Sequence, residues 1–266
     1  MVKETKKKGK STNDINSTDK ILNVIECIFK EKEISFTEIK EELNIPKSTL
    51  HRILLSLEKR GYISRNDVSD KYSLGVKFIY YGETIKSNLT LSKISESILK
   101  DLANEIGETV NIGILYNDSV LNILSVKGEE SVLTSKLIPI SPLNCSSIGK
   151  IFLAIKNDIE LITYFSNNNY EKRTENSICT LDKFKVEQNS ILNSQISFDD
   201  EEYEYGLFCI ATPLKNHNGI INAAVSITGP KVRMKMKNID LIQKKLIDKA
   251  SVINDILIKI KFDFNY

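Results

Sequence analysis

Residues 35–74 read "SFTEIKEELNIPKSTLHRILLSLEKRGYISRNDVSDKYSL", and the local signals in this stretch decide the fold of the first part of the chain. Ser35 and Glu38 have the spacing of a capping box, which predicts the start of a short helix. Pro46 suits the first turn of a second helix, because that position needs no backbone N–H. Gly61 then predicts the end of the second helix. The stretch therefore holds two short helices separated by a tight turn.

A strand pair follows the second helix. The runs at 62–65 and 71–74 alternate around the polar turn "NDVSD", which predicts a small hairpin. Two short helices followed by such a hairpin are the elements of a winged helix-turn-helix, whose second helix enters the DNA major groove. That helix has an apolar face that predicts its buried residues: Leu50, Ile53, Leu54 and Leu57.

The polar face of the second helix carries side chains that fit a DNA groove. Ser48 and Thr49 are short enough to let the helix backbone approach the duplex, and Arg52 can form two hydrogen bonds to a guanine. In the hairpin, Lys71 is placed to contact a phosphate. A basic helical hairpin without a DNA-binding role would share part of this pattern, but the order of helices, turn and hairpin favours DNA binding. The predicted DNA-binding residues are Thr37, Pro46, Lys47, Ser48, Thr49, His51, Arg52, Lys71 and Tyr72.

Length and composition set the broad class. A chain of 266 residues is expected to form two domains. Its 41% hydrophobic and 27% charged residues are typical of a globular protein. No apolar run approaches the ~20 residues that span a bilayer, and no signal-peptide pattern follows the basic start, so we expect a cytoplasmic protein. The four cysteines are far apart and only two histidines are present, so we expect reduced thiols and neither a metal site nor a cofactor.

The net charge of +2 is unevenly distributed. Residues 1–75 hold 15 Lys and Arg against 12 Asp and Glu, and five of these lysines lie within the first ten residues. We expect residues 1–14 to form a disordered basic arm. Such an arm is either a solvated tail or a loose, salt-dependent phosphate contact, and charge alone does not decide between them.

Helical periodicity continues on both sides of the opening stretch. Residues 18–31 bring Ile21, Ile25 and Ile28 onto one stripe, which predicts a first helix. After the hairpin, residues 75–88 and the run that follows predict two helices, whose apolar faces either pack within the chain or form a dimer contact. The predicted domains are the basic arm at 1–14, a winged helix-turn-helix domain at 15–75, a linker helix at 76–90 and an effector-binding domain at 91–266.

From Thr109 the hydrophobic period changes from helical to alternating. An antiparallel sheet flanked by helices, an α+β architecture, is the expected fold of this part. A closing helix is predicted to bury Leu241 and Leu246. The predicted elements are hairpin strands at 109–116 and 120–127, a strand at 138–142, helices at 149–154, 158–165 and 181–194, strands at 207–214 and 220–229, and the closing helix at 240–260.

No catalytic constellation is apparent in the second domain. Cys209 could act as a nucleophile, but it lies mid-strand among apolar residues and no base is placed beside it. A buried structural or pocket-lining thiol is therefore favoured. The acidic run at 199–202 is predicted to be a solvated loop.

Two features point to a small-molecule pocket instead. Ser226 and Thr228 alternate with apolar residues along one strand, so their hydroxyls project from the same face of the sheet. Ser146 or Ser147 caps a helix whose first N–H groups would attract a carboxylate. A solvent-exposed sheet face would explain the two strand hydroxyls equally well.

Several segments together make the chain resemble bacterial transcriptional regulators of the IclR type. The resemblance covers about residues 18–260 and depends on the segments "LNIPKSTLHRILLSLEKRGYI", "KYSLG", "GETVNIGIL", "PLNCSSIGKIFLA", "DDEEYEYGLFCIATPL" and "AAVSITGP" in this order. It implies an N-terminal winged helix-turn-helix joined by a helical linker to a C-terminal, GAF-like effector domain. It also implies a homodimer or a dimer of dimers that binds a double-stranded DNA operator, usually beside catabolic genes.

The resemblance further implies a pocket for a small oxo, sugar or aromatic acid. In the family pattern the ligand carboxylate meets backbone amides at the start of a helix, and an acidic residue, a cysteine and two strand hydroxyls complete the pocket. The matching positions here are Ser147, Ile148, Asp199, Cys209, Ser226 and Thr228. Two positions depart from the pattern, Asn144, where histidine is frequent, and Ser147, where glycine or alanine is frequent. Both are expected to alter the pocket mouth, so the effector's identity does not carry over.

The favoured function is that of a ligand-responsive transcriptional regulator, a repressor of a catabolic operon, and not that of an enzyme. Two alternatives belong to other classes. An enzyme with a DNA-tethering head would use Cys209 as its nucleophile, and a ligand-free architectural protein would only occupy DNA.

Overall fold

The structure, a computed structural model, describes residues 17–130, 139–167 and 170–264. The predicted basic arm at 1–14 lies outside the described residues. The chain divides into two units between Ile85 and Lys86, and each unit has a hydrophobic core of its own. Among the described residues, no helix has both the length and the apolar character that crossing a membrane requires.

The first unit contains the elements of a winged helix-turn-helix. In chain order these are α1 (Ser17–Glu31), β1 (Ile34–Ser35), α2 (Phe36–Leu43), α3 (Lys47–Lys59), β2 (Ile63–Arg65), β3 (Lys71–Leu74) and α4 (Lys77–Asn88), which continues across the boundary. The three strands form one antiparallel sheet in the order β1-β3-β2.

Local backbone chemistry sets the ends of α2 and α3. The predicted capping box is confirmed, because the Ser35 hydroxyl accepts from the Glu38 N–H while the Glu38 carboxylate accepts from the Ser35 N–H. Asn44 ends α2 in the left-handed region, at φ 48°. Pro46 lies at the N-cap position of α3, one residue before the first turn in which it was predicted, and makes no side-chain cap hydrogen bond. Gly61 follows α3 with φ 75°, a conformation that glycine adopts without strain.

The core of the first unit lies between α1, α3 and the hairpin. Leu50 of α3 and Val24 and Ile28 of α1 are completely buried there. The stripe predicted for α1 is right for Ile28, but Ile25 is only half-buried and Ile21 is 38% exposed. The helical period therefore located α1 correctly. The buried face is rotated slightly from the predicted one, since it contains Val24 and Cys27 together with Ile28.

The second unit is the predicted α+β domain. Its elements are α5 (Thr90–Ile106), β4 (Thr109–Tyr116), β5 (Ser119–Val126), β6 (Ile140–Pro142), α6 (Ser147–Ala154), α7 (Asp158–Ser166), α8 (Leu181–Ser194), β7 (Ser197–Asp200), β8 (Leu207–Lys215), β9 (Ile221–Pro230), α9 (Lys231–Met236) and α10 (Ile239–Lys259). The strands form one six-stranded antiparallel sheet in the order β6-β5-β4-β9-β8-β7.

Helices cover the two faces of this sheet. α5 and α10 pack on one face, where Val225 and Ile227 of β9 join the larger core. α6 packs on the other face, where Ala211 of β8 and Ala224 of β9 leave room for a helix backbone. The sheet therefore has one apolar face and one face that is shared between α6 and polar side chains.

Three short elements and one helix face differ from the prediction. β1, β7 and α9, of two, four and six residues, were not among the predicted elements. α10 buries Leu246 as predicted, but Leu241 is 49% exposed because Ile242 takes the inward position at the start of the helix.

A glycine contact near the hairpin gives the first prediction. A Cβ on Gly75 would collide with the backbone carbonyl of Gly61, whereas a Cβ on Gly82 of α4 would meet nothing within 4 Å. We expect Gly75→Ala to destabilise the first unit by about 2 kcal/mol, because backbone atoms must move. Gly82→Ala is the matched control and should stabilise α4 by about 0.5–1 kcal/mol. Hydrogen–deuterium exchange of β2 and β3 in the full chain measures the effect, and equal protection in both variants would refute the clash.

Candidate DNA interface and ligand pocket

One side of α3 is held against the core and the other side faces outward. Leu50, Ile53, Leu54 and Leu57 are buried, as the apolar period predicted. On the outward side, Lys47, Ser48, His51 and Arg52 are exposed and line one open depression. Thr49 is half-buried beside them. Because the buried side fixes the rotation of the helix, these polar side chains are presented in a defined direction.

The other predicted DNA-binding residues surround this face unevenly. Thr37 near the start of α2 and Pro46 before α3 are exposed, and Lys71 in the hairpin is half-buried. Tyr72 is different, because its side chain is only 7% exposed and belongs to the core of the first unit. Its ring packs beneath Arg65, whose guanidinium carbon lies 5.8 Å from the ring centroid. Tyr72 thus supports the hairpin from inside.

The hairpin carries a cation that the sequence analysis did not select. Arg65 is exposed on β2, donates to the Asp70 carboxylate with its Nε at 2.6 Å, and stacks over Tyr72. The Ser64 and Ser73 hydroxyls form a cross-strand hydrogen bond of 2.9 Å beside it. Alternation gave no signal for it, because Arg65 falls on the same face as the buried Ile63 and Tyr72 and is exposed only because it lies at the end of β2.

In the second unit, α6 begins with its first turn directed at the sheet. Ser146 is the N-cap, since its hydroxyl accepts from the Gly149 N–H at 3.1 Å and donates to the Pro142 carbonyl at 2.6 Å. Ser147 and Ile148 therefore occupy the first turn, where backbone N–H groups lack partners within the helix and the helix dipole favours an anion. The Ser147 carbonyl accepts from Ser197 of β7 at 2.7 Å, which ties this turn to the sheet.

The remaining predicted pocket residues lie on the sheet face that α6 covers. Cys209 of β8 is paired with Asp199 of β7 on one side and with Thr228 of β9 on the other. Ser226 is paired with Ala211, which packs against α6. Residues directly opposite one another in an antiparallel pair share a face, so the structure brings all four polar residues together beside the start of α6.

Burial controls the charge of Asp199 and Cys209. The Asp199 side chain is 1% exposed, and burial raises its pKa to about 6 although it accepts the N–H groups of Glu202 at 2.8 Å and Tyr203 at 3.1 Å. Burial, together with the nearby Asp199 charge, raises the pKa of the Cys209 thiol well above its ordinary value. Because the thiolate is the nucleophilic form, this thiol is unsuited to nucleophilic catalysis.

A buried lysine anchors the same region. Lys150 of α6 is completely buried, and its ammonium pairs with Glu202 and, at 2.8 Å, with Glu187 of α8. Burial opposes the charge, but the two carboxylates hold the Lys150 pKa above its ordinary value. Burial also raises the pKa of Glu202, to about 7. Sequence reasoning missed this cluster because its members are far apart along the chain.

Two expectations about this region are wrong. The acidic run at 199–202 is not a solvated loop, because Asp199 and Glu202 are buried and Glu201 pairs with Lys231. Asn144 does not shape a pocket mouth with its amide. That amide is completely buried and donates to two backbone carbonyls, of Glu171 at 2.8 Å and Ile178 at 2.9 Å.

Metal chemistry has little support in this part of the molecule. Across residues 17–130, 139–167 and 170–264, no group of three or more His, Cys, Asp or Glu side chains is arranged to hold a metal ion. His51 is exposed on α3, and His217 interacts with the Phe262 carbonyl through Nδ1 at 2.9 Å.

Comparison with known proteins gives matches over both units. The family model described as "IclR helix-turn-helix domain" matches residues 17–67, and "Bacterial transcriptional regulator IclR C-terminal" matches residues 84–255. The HTH-type transcriptional regulator KdgR of Escherichia coli is 27% identical over 225 residues, which is 84% of this chain and 86% of that protein.

Solved structures match along nearly the whole chain. The Thermotoga maritima IclR crystal structure is similar at a TM-score of 0.64 and 28% identity, covering 92% of this chain and 99% of that one. An IclR homologue from Microbacterium hydrocarbonoxydans, solved in complex with 4-hydroxybenzoate, has a TM-score of 0.70 at 16% identity and covers 91% of this chain and 99% of its own. At 16% identity, the similarity to the Microbacterium protein shows a shared fold and no more.

The raised pKa of Asp199 gives a prediction about stability and pH. Because its folded-state pKa of about 6 exceeds the ordinary 3.8, the folded protein binds more protons than the unfolded chain between about pH 4 and pH 6. The free energy of unfolding should therefore fall as the pH rises through this window, by up to about 3 kcal/mol from this group. Asp199→Asn should abolish this fall in the free energy of unfolding. Asp248→Asn, at an exposed position of α10, should leave it unchanged. Urea unfolding at several pH values tests this, and equal slopes for wild type and Asp199→Asn would contradict it.

Proposed function

This chain belongs to the IclR family of bacterial transcriptional regulators, and we propose that it is a repressor of a catabolic operon that responds to a small organic acid. As a member of that family it is a DNA-binding regulator and not an enzyme. In the proposal, residues 15–75 bind the operator, 76–90 form the linker helix and 91–266 bind the effector. A regulator of this kind works beside the chromosome, in the bacterial cytoplasm.

The observation that carries the DNA-binding part is the outward face of α3. Ser48 and Thr49 allow close approach of the helix, Arg52 would read a guanine edge, and Lys47 would neutralise a phosphate. His51, Thr37, Pro46 and Lys71 would complete the contact surface. The burial of Tyr72 removes it from the surface that we propose touches DNA. Arg65 in the hairpin is a better candidate for the phosphate beside the wing.

The effector part is supported by the start of α6 and the polar sheet face under it. The carboxylate of an acid would accept the first-turn amides of Ser147 and Ile148. Asp199, Cys209, Ser226 and Thr228 would bind the remaining polar groups. The homologue solved with 4-hydroxybenzoate binds a carboxylic acid, which agrees with this chemistry.

An unpartnered apolar surface supports a homodimer or a dimer of dimers. On α4, Ile79, Tyr80 and Ile85 are 66%, 70% and 60% exposed. Exposed apolar side chains in such number on one helix are typical of an association surface. Repression would be relieved if the effector binds one arrangement of the dimer more tightly than the other, because only a difference in affinity shifts such an equilibrium.

Selection of DNA from a random duplex pool tests the operator-binding part. We expect an enriched sequence with two-fold symmetry, whose half-sites are separated by about one helical turn or a multiple of it, as a homodimer requires. Fluorescence anisotropy with that sequence should show that Arg52→Ala weakens binding by at least about tenfold, the loss of a bidentate base contact. Arg60→Ala, at the exposed residue directly after the last turn of the same helix, should have little effect.

Three outcomes would count against this assignment. Failure to enrich any sequence would reject operator binding. Equal losses from Arg52→Ala and Arg60→Ala would mean that α3 contributes only general charge. An enriched single half-site, without symmetry, would reject the homodimer.

Operator affinity also reports on the effector. An acid that binds the second unit is expected to change operator affinity by about 5- to 150-fold, the usual range of coupling between two sites. Ser226→Ala should weaken this response without changing operator affinity in the absence of acid, and Ser190→Ala on the exposed side of α8 is the matched control. Unchanged operator affinity across a broad panel of oxo, sugar and aromatic acids would favour a ligand-free architectural protein.

A further inference from the structure

A row of polar side chains crosses five neighbouring strands of the sheet on the face that α6 covers. Its members, which we call the polar row, are Ser125 of β5, Asn111 of β4, Thr228 of β9, Cys209 of β8 and Asp199 of β7. Ser125 is paired with Asn111, and Cys209 is paired with both Thr228 and Asp199. Asn111 reaches Thr228 from the neighbouring register position.

Two hydrogen bonds join the outer members of the polar row, and both run toward Thr228. The Ser125 hydroxyl donates to Asn111 Oδ1 at 2.7 Å, and Asn111 Nδ2 donates to Thr228 Oγ1 at 3.3 Å. Beyond Thr228, Cys209 lies between Thr228 and Asp199 in the sheet and interacts with both side chains. The Ser125 proton and one Asn111 N–H are thus used within the row.

This direction decides what the row offers to a ligand. A serine or threonine oxygen has two lone pairs and one proton, and the Ser125 proton is already used within the row. Beyond the bonds of the row, Ser125 keeps two acceptor positions, Thr228 keeps one, and the Asn111 amide keeps one acceptor position and one N–H. The row therefore presents mainly acceptors, which bind hydroxyl donors and repel carbonyl oxygens.

The end of the row away from Asp199 is open. The side chains at this end, Asn111, Ser125 and Thr228, are half-exposed, although their strands are inner strands of the sheet. Val110 and Ile112, the neighbours of Asn111 in the sequence, are completely buried on the opposite face. Half-exposed polar groups on inner strands indicate space above them. A hydroxylated ligand can reach them from that side.

The start of α6 is close enough for one small molecule to reach both places. A Cβ on Gly113 of β4 would lie 3.2 Å from Ile148 Cδ1, so the side chain of this first-turn residue of α6 reaches over the strand. Asn111 lies two residues along the same strand and on the same face, about 7 Å away at the usual rise. A six-carbon acid is long enough to bridge that distance.

We propose that the effector is a polyhydroxylated carboxylic acid of the sugar-acid type, and that Asn111 and Ser125 determine this specificity. The inference rests on the proposed function and selects among the three acid classes considered there. The carboxylate lies at the first turn of α6 while hydroxyl groups donate to Ser125, Asn111 and Thr228. An oxo acid or aromatic acid without hydroxyl groups brings no donor to these acceptors, and polar groups that a ligand covers without bonding reduce affinity.

Isothermal titration calorimetry with the full chain tests this proposal. The probes are D-gluconate, D-galactonate and D-glucuronate, with hexanoate as the matched six-carbon acid without hydroxyls, and pyruvate and benzoate for the other two classes. At least one hydroxylated acid should bind ten or more times more tightly than hexanoate, pyruvate and benzoate.

Variants of the polar row identify the residues responsible. Asn111→Ala and Ser125→Ala should each lower the affinity for the hydroxylated acid about tenfold, the effect of one lost hydrogen bond, and leave hexanoate binding unchanged. Asn189→Ala, on the exposed side of α8, is the control for a general effect of losing an amide. Circular dichroism checks folding, and if Asn111→Ala does not fold, Ser125→Ala decides the result.

The outcomes separate this proposal from the one that it rests on. Tighter binding of pyruvate or benzoate than of every hydroxylated acid overturns the sugar-acid assignment and leaves the effector site in place. Equal losses of gluconate-type and hexanoate binding in Asn111→Ala and Ser125→Ala show that the row is structural, and also overturn it. If neither these acids nor the broader panel bind, the effector site itself is refuted.

Discussion

The buried ammonium of Lys150 is the interaction on which the second unit's ligand-facing region depends. A lone charge in a protein interior costs several kcal/mol, so Lys150 is tolerated only with both carboxylates in place. Lys150 belongs to α6, Glu187 to α8, and Glu202 to the segment after β7, so one charge fixes the positions of three elements. The Glu202 N–H also donates to Asp199, which extends the constraint to the edge of the sheet. The helix start and the acid of the polar row are therefore held by the same cluster.

The alternation of one strand explains how a stable core and a polar surface coexist in the same sheet. Val225 and Ile227 of β9 pack beneath α5 and α10, whereas Ser226 and Thr228 face the other way. The apolar face provides the stability of the domain, since burial of apolar surface is the largest favourable contribution to folding. The opposite face can then retain hydroxyls that would be costly in a core. The hydrogen bond that Thr228 accepts from Asn111 reduces that cost.

Features that depend on neighbouring residues could be predicted from the sequence, and features that depend on distant residues could not. The capping box of Ser35, the end of α3 at Gly61 and the alternation of Ser226 with Thr228 are all set within a few positions. Burial of Glu202 depends on a lysine 52 positions away, so an acidic run looked like a solvated loop.

Asn111 shows the same limit within a pattern that was recognised. Its strand was predicted, and its place in the alternation set its face. Only the pairing of β4 with β5 and β9 shows that it joins Ser125 to Thr228. Tyr72 was predicted to contact DNA, but alternation along β3 directs its ring inward.

The small size of the first unit links its stability to association. A domain of this length buries a modest fraction of its surface, and its stability is correspondingly marginal. It nevertheless leaves Ile79, Tyr80 and Ile85 exposed on α4, and Leu22 and Phe29 on α1 are 51% and 56% exposed. In the proposed homodimer, covering the α4 residues would stabilise the fold that presents α3, because any partner that binds only the folded state stabilises it. Association, folding and DNA binding would then be thermodynamically coupled, and a ligand that alters the dimer would act on all three.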